Sequence, residues 1–433
     1  MEAKLRKYIF PSVLAMLGTS CYILADTLFI SIAAGTNGIT ALNLVLPVYG
    51  IIYALGSMIG IGSATRYSLS KSLGNKDAND YFSNALFFTI LLSLFFVVLG
   101  VFFPDWVLQI LGADKTILEV GHSYIQIVLC FAPCFMANYT LTAFVRNDHS
   151  PKIAMAATLI SGIFNIIFDY ILMFPLQMGM SGAALATGIS PIVSMSICML
   201  HYLSEKSSIR LVLKAPSLKK LISSCHLGIV AFVGEISSGI TTMVFNFVLL
   251  GLGGNLAVAA YGVIANIALV GTSLLNGVSQ GLQPLASSVH GVGDSSAEKH
   301  IYRHSLQIGG MIAVLLTVGT FLFTSPLVSI FNTENSQALK LYAESGLRLY
   351  FLGFLFAFIN IIKSGFLSAT GKGSQSAFIA LSRGVVAIVF FAVLLAKWFG
   401  ITGVWLAFPV CEAFTCVMSF LVSWWKFKKE NLL

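Results

Sequence analysis

The run Ala85-Leu86-Phe87-Phe88-Thr89-Ile90-Leu91-Leu92-Ser93-Leu94-Phe95-Phe96-Val97-Val98-Leu99-Gly100-Val101-Phe102-Phe103 contains no charge and no proline. Wound as an α-helix it spans about 28 Å, close to the thickness of a bilayer's hydrocarbon core. Its residues do not alternate between apolar and polar, as the strands of a membrane β-barrel must. In lipid every backbone polar group needs an internal partner, so a run of this kind is a membrane-spanning helix. The rest of the chain repeats the pattern. Of 433 residues, 57% are hydrophobic and 10% are charged. A water-facing domain carries about 25% charged residues. Here the charges cluster in short stretches between apolar runs of roughly 20–27 residues.

Twelve spans are expected: 8–34, 39–65, 81–103, 118–144, 152–174, 180–203, 221–250, 256–284, 303–324, 340–366, 375–396 and 401–425. The first follows a short basic segment (Lys4, Arg6, Lys7) and resembles a signal peptide. It is too long for one, has no small-residue cleavage site and carries Asp26, so it reads as a retained helix. With twelve spans both termini lie on one side. Segments on that side hold most of the basic residues, among them Arg66, Lys71, Lys76, Arg146, Lys152, Lys206, Arg210, Lys214, Lys219, Lys220, Lys299, Arg303, Lys372, Lys426, Lys428 and Lys429. The opposite side holds little more than Lys115, Lys340 and Lys397. The positive-inside rule therefore predicts a multi-pass protein of the cytoplasmic membrane with both termini in the cytoplasm. The net charge of +8 follows this distribution, so the expected partner is the lipid bilayer and not nucleic acid. The seven cysteines lie within or beside apolar runs, lack zinc-ligand spacing, and read as small core residues.

The longest basic loop falls at the middle of the chain. It predicts an N-terminal six-helix lobe (1–203), a cytoplasmic basic linker (204–220) and a C-terminal six-helix lobe (221–433). The halves resemble each other. Gly74-Asn75-Lys76-Asp77 recurs as Gly291-Val292-Gly293-Asp294, and Leu108-Gln109-Ile110-Leu111-Gly112 as Val328-Ser329-Ile330-Phe331-Asn332. Gly179-Met180-Ser181-Gly182-Ala183 recurs as Gly400-Ile401-Thr402-Gly403-Val404. Each half has six spans, so both enter from the same face and the repeats are parallel. The expected fold is an all-α membrane protein of two pseudo-symmetric lobes around a central cleft.

Ionisable residues inside a bilayer cost about 2.5–3.5 kcal/mol on insertion scales, so each needs a reason. Asp26, Asp169, Glu235 and Glu412 stand out, and Asn165 precedes Asp169 by one turn on the same helix face. Asn138 and Thr187 add polar groups. Such residues can simply bond neighbouring helices. In the repeat, however, Asn165 aligns with Val386, Asp169 with Phe390 and Thr187 with Phe408, while Asp26 aligns roughly with Asn246. The second half builds the same architecture without these groups, which favours a functional role for them. Arg348, Lys363 and Arg383 lie nearer helix ends and are expected to snorkel to the interface. Pro11 removes one hydrogen bond from the first helix and makes a bend there easier.

These residues resemble the multidrug and toxic compound extrusion (MATE) transporters over the whole chain. The likeness rests on Asp26-Thr27-Leu28-Phe29-Ile30, Leu73-Gly74-Asn75-Lys76-Asp77 and the Asn165/Asp169 pair. It continues through Gly179 to Thr187, Gly281-Leu282-Gln283-Pro284-Leu285 and Ala369-Thr370-Gly371-Lys372. The resemblance implies cation coupling at Asp26, Asn165, Asp169 and Thr187, with H+ or Na+ at Asp26 and Asp169 and no cofactor. It implies helix bending at Pro11. Glu235 looks like an acid that another branch of the family carries in its seventh helix. Glu235, Asn138 and Asn246 are the expected substrate contacts. The expected activity is export of amphipathic organic-cation drugs by a monomer, driven by inward H+ or Na+.

Two other readings stay open on the residues. A lipid-linked oligosaccharide flippase shares the two-lobed design but would carry a basic central cavity. An intramembrane enzyme would show paired Asp-rich motifs or a protease signature, and neither is found. Gly60-x-Gly62 is too weak for a nucleotide loop, and no Walker sequence is present.

Overall fold

The computed structural model describes residues 2–75, 77–113, 115–331 and 336–430. Lys76 and Asn332, two members of the repeated turns, lie outside the described residues, as do the side chains of Lys4, Lys426, Lys428 and Lys429. Among the described residues the chain is helical and has no strand. Nine helices are long and apolar enough to span a membrane, and two bent helix pairs raise the number to eleven. The run Gly373–Leu421 breaks at Gly400, where φ is 58°, and so supplies two spans. The twelve are α1 (Leu5–Ala34), α2 (Ala41–Ser72), α3 (Ala78–Phe102), α4 (Lys115–Cys130 with Ala132–Asn147), α5 (Pro151–Met173) and α6 (Gly179–Tyr202) in the first lobe. The second lobe holds α7 (Leu218–Gly254), α8 (Leu256–Gly291), α9 (Ser295–Leu322), α10 (Gln337–Phe351 with Phe354–Ala369), α11 (373–399) and α12 (401–421).

The stretch quoted first shows why these helices need lipid. On α3 the buried face is Ala85, Thr89, Ser93, Phe96 and Gly100, mostly small or polar. The outward face carries Phe87, Leu91, Leu94, Phe95 and Val98, each exposed. Small and polar residues let membrane helices approach and bond, and large apolar residues face hydrocarbon.

The repeat is written into the backbone. Left-handed φ values recur at Gly74 and Gly293, at His149 and Gly371, and at Gly179 and Gly400, positions 219, 222 and 221 residues apart (293 − 74, 371 − 149, 400 − 179). Glycine adopts this conformation without steric penalty, which explains its use at five of the six turns. α4 and α10 bend at matching places, by 43° and 47°. Each lobe has its own apolar core, one centred on Ile52, Tyr67, Tyr124 and Phe144, the other on Ile264, Phe351, Phe354 and Trp405.

The segment between α6 and α7 is tied to the first lobe. Asn79 and Ser83 of α3 accept from the backbone N–H groups of Arg210 (3.0 Å) and Val212 (2.7 Å). Asn84 accepts from Ser217 N at 2.7 Å. Buried Asp148, in the α4–α5 turn, accepts from Ser208 N (2.8 Å), His201 Nε2 (3.0 Å), Lys71 Nζ (3.0 Å) and Tyr67 Oη (3.2 Å). Burial alone would raise the pKa of Asp148. The hydrogen bonds from Ser208, Lys71 and His201 outweigh that and hold it well below the usual carboxylate range.

The lobes meet at the end that carries this segment. α1 crosses α8 at Gly277 and Gly281, where a Cβ would stand 2.6 Å from Val13 Cα and from Ile9 Cα respectively. α2 crosses α7 at Gly62 and Gly228 in the same manner. Side-chain bonds that cross the seam include Arg146 to Gln280 (2.6 Å), Ser287 to Ser68 (2.8 Å), Arg66 to Ser223 O (3.2 Å) and Lys220 to Asp80 (2.6 Å). Gly62, which the sequence offered as half of a weak nucleotide motif, is thus a helix-crossing point.

Candidate functional site

Asp26, Asn165, Asp169 and Thr187 come together in the first lobe. α1 lies close on α5, with Gly18 facing Leu159 and Gly162 facing the Tyr22 ring, where an added Cβ would stand 2.3 and 3.1 Å from the neighbouring side chain. One turn beyond Tyr22, Asp26 then faces Asp169. Asn165 stands one turn from Asp169 and donates from Nδ2 to Thr187 Oγ1 of α6 at 3.3 Å. Asp169 is 0% exposed and Asn165 1%. Apart from the facing carboxyl, no hydrogen-bond partner reaches Asp26 Oδ1, Asn165 Oδ1 or either oxygen of Asp169 among the described residues. The site is therefore rich in acceptors and poor in donors. A buried acceptor left alone costs about 1–3 kcal/mol, and more when charged. A proton can join two facing carboxyls, and a hard cation such as Na+ takes oxygen ligands of this kind. The residues fit either ion as a transported species.

A cluster of aromatic rings that sequence reasoning missed adjoins this site. Tyr49 and Tyr53 on α2 stack with centroids 5.7 Å apart, and Phe135 and Tyr139 on α4 close around them at 5.5–5.7 Å. Tyr49 Oη reaches Tyr124 Oη at 3.5 Å. Tyr22 and Tyr124 lie within electrostatic range of Asp26. Tyr22, Tyr53 and Tyr139 lie within the same range of Glu235 on α7, in the other lobe. The cluster thus lies near both the acid pair and Glu235. The two i,i+4 aromatic pairs were the available signal, since that spacing puts each pair on one helix face.

The other expected residues are dispersed. Asn138 accepts from Thr142 Oγ1 within α4 at 3.3 Å. Asn246 stands about three turns along α7 from Glu235, roughly 16 Å away, so the two do not form one subsite. Pro11 is buried in α1 between Ile9 and Val13, at the crossing with α8.

Two residues expected to snorkel do not. Arg383 forms an ion pair with buried Glu412 of α12, with Nη2 to Oε1 at 2.5 Å and Nε to Oε1 at 2.9 Å. Lys363 is 7% exposed and donates to Ser419 O at 2.9 Å, with its ammonium 4.5 Å from the Phe420 ring centroid. Arg348 donates from Nε to Thr324 Oγ1 at 3.2 Å. A basic central cavity of the flippase type would need free cations, and Arg383 and Lys363 are engaged inside the second lobe.

The sequence model of the MatE family matches residues 11–171 and 231–393. The chain is 28% identical over 420 residues to the multidrug export protein MepA of Staphylococcus aureus strain MRSA252, covering 96% of this chain and 92% of that protein. It is 27% identical over 417 residues to MepA of Staphylococcus saprophyticus, covering 95% and 91%. A structure described as a crystal structure of MATE in complex with MaL6 superposes with a TM-score of 0.93 at 21% identity, covering 99% of this chain and 97% of that one. An outward-facing MATE family transporter of the MOP superfamily superposes at 0.89, also with 21% identity, covering 99% and 96%. The two-lobed, twelve-helix membrane fold is shared with these structures. The chain belongs to the MatE family and is a membrane transporter, not an enzyme.

Proposed function

We propose that the chain is a secondary active exporter in the cytoplasmic membrane, which moves amphipathic organic cations outward in exchange for H+ or Na+. The observation that carries this reading is the set of buried, donorless oxygens at Asp26, Asn165 and Asp169. A proton or cation brought from outside the protein supplies what they lack. The likeness to the multidrug export protein MepA supports drugs as the cargo. Tyr22, Tyr53 and Tyr139 offer π faces to a cation, and Glu235 offers a negative charge opposite them.

The cycle follows from two lobe arrangements of similar energy. An ion entering the Asp26–Asp169 pair supplies the missing donor or charge and stabilises one packing of α1 against α5. Pro11 lies where α1 meets α8, so a bend there alters the seam between the lobes. In the present arrangement the seam is closed at the basic end. With the termini cytoplasmic, the route from the cleft leads outward. The halves 1–203 and 221–433 act as the two moving bodies, with 204–220 between them. Opening the seam while the ion leaves inward would admit the next substrate.

The test is efflux of a fluorescent organic cation from proteoliposomes, driven separately by a pH gradient and a Na+ gradient. One gradient should drive efflux in the wild type. D26N and D169N should each abolish it while purifying in normal yield. Full activity in both variants would remove the acid pair from coupling.

A further inference from the structure

Arg383 and Glu412 form a polar centre in the second lobe that the proposed transport cycle leaves unused. Arg383 lies in a five-residue π-helical turn, Ser382–Val386, within α11. π-Turns displace one residue from the α-helical register and are frequent at functional sites. Two helices hold this one. Glu412 of α12 takes the guanidinium through both Nε and Nη2. Asn360 of α10, 0% exposed, donates from Nδ2 to Glu412 Oε2 at 2.7 Å and to Glu412 O at 2.9 Å. Cys411 donates from Sγ to the Arg383 carbonyl at 3.2 Å.

The turn also grips α7. At Gly384 a Cβ would meet Ser237 Oγ at 2.1 Å and Val233 Cγ1 at 3.7 Å. Val233 and Ser237 are one helical turn apart on one face of α7. Glu235, midway between them, points to the opposite face. That face is turned toward Tyr22, Tyr53 and Tyr139 of the other lobe. The π-turn therefore presses on the back of the helix whose front presents Glu235.

We propose that Arg383 and Glu412 are positioning residues for Glu235: their ion pair fixes the π-turn against α7 and so sets where the Glu235 carboxylate meets the transported cation. The pair is neutral and internal, so the second lobe needs no ion from solution to hold this geometry. The inference rests on the reading of Glu235 as a substrate contact.

The experiment measures KM and maximal rate for a fluorescent organic cation in proteoliposomes. It compares E235Q, R383Q, E412Q, the exchanged pair R383E/E412R, and R383Q combined with E235Q. Expected are rises in KM of about tenfold for R383Q and for E412Q, with maximal rate within about threefold of wild type. The exchanged pair should recover most of the lost affinity, and it keeps the test open if a single variant folds poorly. R383Q should add nothing once E235Q is present, because both act through one group. A normal KM in R383Q and E412Q, or effects that multiply with E235Q, would overturn the positioning role while Glu235 keeps its own. A normal KM in E235Q would overturn both.

Discussion

At the residue scale, the groups of the first-lobe site were legible because their types are improbable in lipid. Asp26, Asn165, Asp169 and Thr187 stood out against Val386, Phe390 and Phe408 in the repeat. The tyrosine cluster was not legible in the same way. An aromatic residue in a membrane helix reads alike whether it faces lipid or a neighbour, and only the packing of α2 on α4 unites Tyr53 with Tyr139. Arg383 was misread because its partner Glu412 sits on the next helix, 29 residues away. Two predictions belong here. Thr187→Ala removes the acceptor of Asn165 Nδ2, a bond worth about 1 kcal/mol, so the apparent affinity for the coupling ion should weaken about fivefold with transport retained. A titration of efflux against ion concentration reads this, and an unchanged midpoint would separate Thr187 from the site. Asp148→Asn removes the carboxylate that binds Ser208, His201 and Lys71. The loss should be about 1–3 kcal/mol, with the share of Lys71 discounted because its side chain is 37% exposed. The folded-state pKa of Asp148 is depressed, so its stabilisation is full above the ordinary carboxylate pKa of about 4 and fades as pH falls below it. The gap in melting temperature between wild type and D148N should therefore narrow as pH falls below about 4.

At the element scale, the twelve spans were readable because apolar length has one meaning in a bilayer. The bends in α4 and α10 were less plain: Pro133 and Gly353 stand at the breaks, but the apolar run continues across both, so each pair reads as one span. The ends of α2 and α8 also run further than apolarity suggests, to Ser72 and Gly291. Both extensions are polar, and they build the seam between the lobes. α1 and α8 cross there at backbone contact, which only glycine permits at 277 and 281. Gly281→Val would drive a branched side chain into Ile9 Cα and Tyr8 O. The expected result is a protein that folds, since each lobe keeps its own core, but in which the seam is loosened. A cysteine placed at Met16 on this variant should react several-fold faster with a membrane-impermeant maleimide added on the side of the basic end than the same cysteine in an otherwise unchanged chain. Equal reactivity would mean that the α1–α8 crossing does not control access.

At the scale of the whole molecule, the repeat supplies a lock that tests alternating access directly. Ser68 and Ser287 are equivalent positions in the two lobes, 219 residues apart (287 − 68), and their hydroxyls meet at 2.8 Å across the seam. Each is buried, one turn from the end of its helix. Replacing both with cysteine brings two sulfurs to about the separation that a disulfide closes with small adjustments, near 2.05 Å. A rigid link at this point prevents the lobes from parting at the basic end but leaves the opposite end free. Oxidised S68C/S287C, with the native cysteines replaced, should lose transport entirely and recover it on reduction. Its site should still bind an organic cation offered from the outer face, because the closed seam is the arrangement already seen. The unlinked single variants should transport normally, which separates the lock from the loss of the Ser68–Ser287 hydrogen bond. Undiminished efflux with the disulfide in place would mean that the two lobes do not separate here. The proposed exchange would then have to proceed by a smaller motion, confined to α1 and its packing on α5 at the Asp26–Asp169 pair.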